Sequence, residues 1–160
     1  DKGGETNYGI TAATLESAKA KGWVPSNISI RNLKLNHAKI IYKNGYWNAV
    51  KVDDMPHPLD LIMFDMAINH GVNQAIKLLQ KTLNSMLDFN LVVDGIIGPK
   101  TMAAVEKLTN ADHLRCLCVY ILLNRVEFYT SIIQSNKTQE KFFKGWIVNR
   151  VVKLKQEAGL

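Results

Sequence analysis

Cysteine is nearly absent from this chain: two in 160 residues, Cys116 and Cys118, both in LRCLCVY. At i and i+2 they suit neither a disulfide nor a metal clamp, and no second pair exists to complete a zinc site. They read as free thiols buried in a helix. The four histidines, at 37, 57, 70 and 113, show no HxxxH spacing. No metal is expected. Long apolar runs are missing too. The longest, Leu117 to Leu123, is far short of the roughly 20 residues a membrane helix needs. No signal peptide is visible, and no stable membrane insertion is expected. There is no Gly-rich phosphate loop and no GxSxG nucleophile elbow. Runs of like charge are also lacking, although the net charge is +6. Ten Lys/Arg face eight Asp/Glu up to residue 93, and ten face six from residue 94 onward. A basic surface draws polyanions such as nucleic acid, anionic membrane or wall polymer. Scattered charges that gather on no one helix argue against a nucleic-acid partner.

What is present is helical periodicity. With 47% apolar and 21% charged residues, the chain can build one compact domain or two small ones sharing a core. Thr11 caps a helix over AATLESAKAKG that Gly22 and Pro25 stop. A second helix is expected over Ile30 to Lys43, then a turn at KNGYW and a break at VDDMPHP. Leu59, Ile62, Met63, Met66 and Ala67 trace a helical stripe, ended by Gly71 in a left-handed stop. Val72, Ala75, Ile76, Leu79, Leu83 and Met86 mark the clearest amphipathic helix. Pro99 opens a short helix, residues 112–134 form a long buried one, and a last begins near Thr138. The fold is expected to be all-α, with seven or so helices and an internal boundary near Val93. No internal repeat or low-complexity segment is seen.

Four stretches could carry chemistry. DKGGETNYGIT, residues 1–11, sets Asp1, Glu5 and Thr6 among glycines just ahead of a helix. Acids with a hydroxyl on a turn are a hydrolase kit, and equally a plain polar turn. In FDMAINHG, residues 64–71, Asp65 and Asn69 share one helix face. They could line a cleft, or Asn69 could bond a neighbouring loop. DGIIGPKT, residues 94–101, reads as a turn into a helix, with Asp94, Gly95, Gly98, Pro99 and Thr101. Arg125, Tyr129, Phe143, Trp146 and Arg150 could bind sugar rings or describe two helices packed together.

In this order, the four stretches resemble glycoside hydrolase family 108, over nearly the whole chain. Members are predicted peptidoglycan muramidases of phages and bacteria, sometimes labelled secretion activators. The resemblance implies a lysozyme-like helical domain over residues 1–93 and a small helical peptidoglycan-binding module over residues 94–160. The FDMAINHG helix is similar to one that runs beside the active cleft of phage-type lysozymes.

Members carry Glu-Gly-Gly-Tyr about ten residues ahead of the D.GG.TN.GIT segment, and that Glu is the family's expected general acid. EGGY does not occur in these 160 residues, so the acid is expected to lie upstream of Asp1. By the same likeness Asp1 would stabilise the oxocarbenium-like transition state or act as base, and Thr6 would hold the water. Glu5, the nearest other carboxylate, sits at a variable place in the motif and is a weak substitute for the acid. Gly3, Gly4 and Gly9 would let the turn form the cleft floor. Asn7, Tyr8, Asp65 and Asn69 are candidates for holding substrate, with Asn69 on that turn or on a sugar amide. Asp94, Gly95, Gly98, Pro99, Thr101, Arg125 and Trp146 are wall-binding or structural.

The expectation is a muramidase that cuts the β-1,4 bond between N-acetylmuramic acid and N-acetylglucosamine without a cofactor. The alternative is an inactive wall-binding accessory that assists secretion. The partner would be peptidoglycan, with no nucleic acid and a monomer favoured. The protein would be made in the bacterial cytoplasm and act on the wall after export or release.

Overall fold

In the computed structural model, residues 5–108 and 110–160 are described; Asp1, Gly3 and Gly4 lie outside them. The chain is all-α apart from one two-stranded hairpin, and forms two compact units, residues 1–49 and 50–160.

The first unit begins with strands β1 (Thr6–Asn7) and β2 (Ile10–Thr11), paired antiparallel with Thr6 opposite Thr11 and Asn7 opposite Ile10. Helix α1 (Ala12–Ala20) follows at once. Thr11 is its N-cap, as expected: its Oγ1 accepts from the Thr14 amide at 3.2 Å. Gly22, at φ +70°, ends the segment. Helix α2 is Leu35–Tyr42, shorter at its start than the Ile30–Lys43 expectation. The reason lies 23 residues upstream. Asn7 Nδ2 donates to the carbonyls of Ile30 at 3.0 Å and Leu33 at 3.3 Å, so those oxygens serve the hairpin. Lys34, extended at ψ 158°, then starts the helix. The expected KNGYW turn is a wide helical turn, Lys43–Trp47, continuing α2. Ile10, Leu15, Ala18, Val24, Ile30, Leu33, Ala38 and Ile41 make this unit's core.

The second unit holds α3 (Leu59–His70) and α4 (Val72–Met86). A single residue, Gly71, joins them at φ +83°, ψ 152°. That is not the left-handed helical stop expected of it. It is a region essentially closed to residues with a Cβ, and it lets one helix end where the next begins. Helix α5 (Pro99–Glu106) carries Pro at its first turn as expected. Helix α6 (Ala111–Ser135) packs against α4. Helix α7 (Glu140–Ile147) continues through a wide turn, Val148–Val152, into α8 (Lys153–Glu157).

Two expectations about α6 need correction. Cys118 is buried, its thiol pushed up to about 12 chiefly by burial, but Cys116 is exposed. The seven-residue apolar run also understates the helix, whose 25 residues are long and apolar enough to cross a membrane by length and composition. Here it is the central helix of the unit, with Leu117, Cys118, Ile121 and Arg125 wholly buried.

Candidate functional site

Three polar constellations stand out, one in the first unit and two in the second.

The first is the hairpin. Tyr8 and Gly9, its two loop residues, have φ +50° and +75°. Positive φ at both loop positions is the geometry of the type I′ turn, whose twist matches a tight hairpin. Strand alternation then sorts the side chains. Asn7 and Ile10 turn inward, the former onto the two carbonyls described above, the latter into the core. Thr6 is exposed. The Tyr42 hydroxyl, from the end of α2, donates to the Tyr8 carbonyl at 2.9 Å and locks the loop. Burial, then the nearby Tyr46, raises the Tyr42 phenol above its ordinary range, so it stays a donor. A Cβ on Gly9 would lie 2.7 Å from that hydroxyl, so both φ and space require glycine.

Glu5 is engaged elsewhere: its Oε1 accepts from Arg31 Nε at 3.0 Å, with both side chains open to water. That bond turns Glu5 to Arg31, which weighs against Glu5 as the acid. The hairpin presents Thr6 outward, in the segment that follows Asp1.

The second constellation is built on α3 and α6. Arg125 is wholly buried, and its Nη2 lies 2.6 Å from Asp65 Oδ2. Its Nη1 donates to the Arg150 carbonyl at 2.7 Å, and its Nε to His70 Nε2 at 2.8 Å. Arginine has no acceptor, so His70 offers a lone pair there and is neutral. Burial first, then Arg125 and Arg150, lowers its pKa to about 3. Tyr129 lies beside His70 with ring centroids 5.0 Å apart, and Trp146 stacks on Tyr129 at the same distance. Arg125 is therefore closed to sugar, and Trp146 spends a face on Tyr129. Asn69 donates to the Asp65 carbonyl in its own helix at 2.9 Å, rather than to a loop.

The third is the 94–101 turn, gripped by a residue that sequence reasoning missed, Gln80 on α4. This buried side chain sends Nε2 to Asp94 Oδ1 at 2.9 Å, to the Ile96 carbonyl at 3.1 Å and to Thr101 Oγ1 at 3.3 Å. Its Oε1 accepts from the Gly95 amide at 3.0 Å. The Gln80 amide and the Ile96 N–H hold the Asp94 carboxyl below its usual range. Gly95 sits at φ +76°, where a Cβ would come within 2.2 Å of Asn73 Nδ2. The one signal in the sequence was a glutamine four residues after Ile76, on the apolar stripe. Pro99 and Gly98 start α5 beside this knot.

Among the described residues, no group of three or more His, Cys, Asp or Glu could hold a metal ion.

The described residues thus present two helical units, the first opening with a hairpin that turns the Thr6 hydroxyl outward. The comparisons make this specific. The model of the family described as glycosyl hydrolase 108 matches residues 1–71, and that of a predicted peptidoglycan domain matches residues 74–151. A solved structure of SagA from Brucella abortus is similar over 99% of this chain and 81% of that one, at 36% identity and a TM-score of 0.71. No curated protein matches. The chain belongs to the glycosyl hydrolase 108 family and carries that family's predicted peptidoglycan domain. Its kind is thus a peptidoglycan-related, lysozyme-like glycoside hydrolase.

Proposed function

We propose that the protein is an N-acetylmuramidase, cutting the β-1,4 bond between N-acetylmuramic acid and N-acetylglucosamine. The observation that carries this reading is the hairpin: a locked type I′ loop that turns Asn7 inward and Thr6 outward, inside the segment matched by the glycosyl hydrolase model. In this reading the proton for the glycosidic oxygen comes from the glutamate of the family's Glu-Gly-Gly-Tyr segment, which these 160 residues do not contain. Asp1 stabilises the oxocarbenium-like transition state or takes a proton from water, and the Thr6 hydroxyl orients that water. Tyr8, exposed on the hairpin loop beside Thr6, is a candidate for positioning sugar. Electrostatic stabilisation and two proton transfers, one to the leaving oxygen and one from water, are enough for this chemistry, so no cofactor is called for.

The test is loss of turbidity of purified Gram-negative sacculi. A chain extended upstream through the family's Glu-Gly-Gly-Tyr segment should lyse them. Asp1→Ala or Thr6→Ala should cut turnover by about 10²-fold or more while circular dichroism stays unchanged. The 160-residue chain should show little lysis. Wild-type turnover in either variant would remove that residue from the mechanism.

The match of residues 74–151 to a peptidoglycan domain favours a second reading, a wall-binding accessory that assists secretion. It predicts sacculus binding without lysis even in the extended chain.

A further inference from the structure

A groove of about 490 Å³ runs between α4 and α6, wholly inside the second unit. Gln74, Leu78 and Lys81 line it from α4, at spacings of four and three that put them on one face. Asn124, Glu127 and Phe128 face them from α6. Leu78 and Phe128 give an apolar floor, while the walls are amides and two charges of opposite sign. Asn84, Ser85 and Ser131, also in the lining, are spent on backbone groups, and the charged pair is not. Among the described residues Lys81 and Glu127 take part in no ion pair. Asn124 uses its Nδ2 on Thr82 Oγ1 at 2.7 Å and leaves its Oδ1 acceptor over.

We infer that this groove binds the peptide stem of peptidoglycan, with Lys81 on a carboxylate and Glu127 on a side-chain ammonium. The inference rests on the wall-directed reading above and assigns the groove a ligand class within it. Charge favours peptide over glycan. Unpaired charges of both signs along one groove complement a zwitterionic chain; a neutral backbone of sugars would leave both without partners. Amides beside them match the donor and acceptor pattern of peptide bonds.

The experiment titrates the isotopically labelled 160-residue chain with two probes, followed by amide chemical shifts. One is the tetrapeptide L-Ala-γ-D-Glu-meso-diaminopimelate-D-Ala. The other is a glycan oligomer stripped of peptide. The expected result is saturable shifts from the tetrapeptide, clustered on residues 74–81 and 124–128. Lys81→Ala and Glu127→Gln should each weaken its affinity about tenfold. A charge-exchanged double variant, Lys81→Glu with Glu127→Lys, sets like charge against both ligand groups and should bind more weakly than either single variant, its fold reported by the undisturbed remainder of the spectrum. Tetrapeptide shifts mapping elsewhere, no saturation, or perturbation of the groove by the stripped glycan would each overturn the inference. The sacculus assay reports separately on the hydrolase. Lysis without tetrapeptide binding removes the groove's assignment alone, and binding without lysis removes the muramidase alone.

Discussion

His70 sits where an imidazole can hold only one charge state. Arg125 donates into its Nε2, the ring is flanked by Phe128 and Tyr129, and a proton added there would face two arginines. The folded-state pKa is about 3, against an ordinary value of 6.5. Between those values the unfolded chain binds a proton that the folded chain refuses. Stability therefore rises with pH across this window, and is lost as pH falls from about 6.5 toward 3. One proton contributes at most about 1.4 kcal/mol per pH unit. Glutamine at this position can still accept from Arg125 but does not titrate. Urea unfolding at several pH values should give His70→Gln a shallower acid slope than the parent, whatever its offset at neutral pH. Equal slopes would mean that His70 charges freely in the folded state. Gly95 is a second residue-scale case. In Gly95→Ala the new methyl meets Asn73 Nδ2 at 2.2 Å and the Asn73 carbonyl at 2.9 Å, at a φ that disfavours any side chain. A loss of about 2 kcal/mol or more is expected from the urea midpoint. A loss below about 0.5 kcal/mol would show that Asn73 swings away at little cost.

Among elements, the hairpin depends on contacts far along the chain. Tyr42→Phe removes the 2.9 Å bond to the Tyr8 carbonyl and leaves packing intact, so about 1 kcal/mol of stability should go. If Thr6 orients water, the extended enzyme should lose turnover in excess of that small stability change, with the sacculus assay as readout. Unchanged turnover would mean that Asn7 and the β-ladder hold the loop without Tyr42. The same dependence explains what was legible in the sequence. Helices α3, α4 and α5 were read closely, because stripes such as Val72 to Met86, and Pro99 at a first turn, are local signals. The hairpin was missed, because two-residue strands are too short to show alternation. Helix α2 was started too early, because the carbonyls of Ile30 and Leu33 are claimed by Asn7 from 23 and 26 positions away. Gln80 and Arg125 were hidden or ambiguous for the same reason. A buried polar side chain is explained only by partners that folding brings to it, and Arg125 finds them 55 to 60 residues before it and 25 after. The order of the four motifs was informative where each alone was not, and it led to the family that the comparisons identify.

For the whole molecule, the net charge of +6 poses a question that salt can answer. Peptidoglycan is an anionic polymer, and a basic surface raises its local concentration around the protein. The charges are spread through the chain, and several are spent internally: Arg125 on Asp65, Arg31 on Glu5, Lys19 on Glu16. Raising salt shortens the screening length, from about 10 Å at 0.1 M to about 3 Å at 1 M, so a diffuse attraction fades gently. A protein that neutralises a row of phosphates behaves differently, losing about 10³ to 10⁵ in affinity between 50 and 200 mM salt. Retention of the Asp1→Ala protein on sacculi, where the polymer survives the assay, should therefore fall by less than about tenfold over that range. The peptide groove, with one cation and one anion, should contribute almost nothing to the slope. A loss of a thousandfold would mean that folding gathers the basic residues into one polyanion-binding face. The wall would then be held chiefly through its charge rather than through its peptide stems.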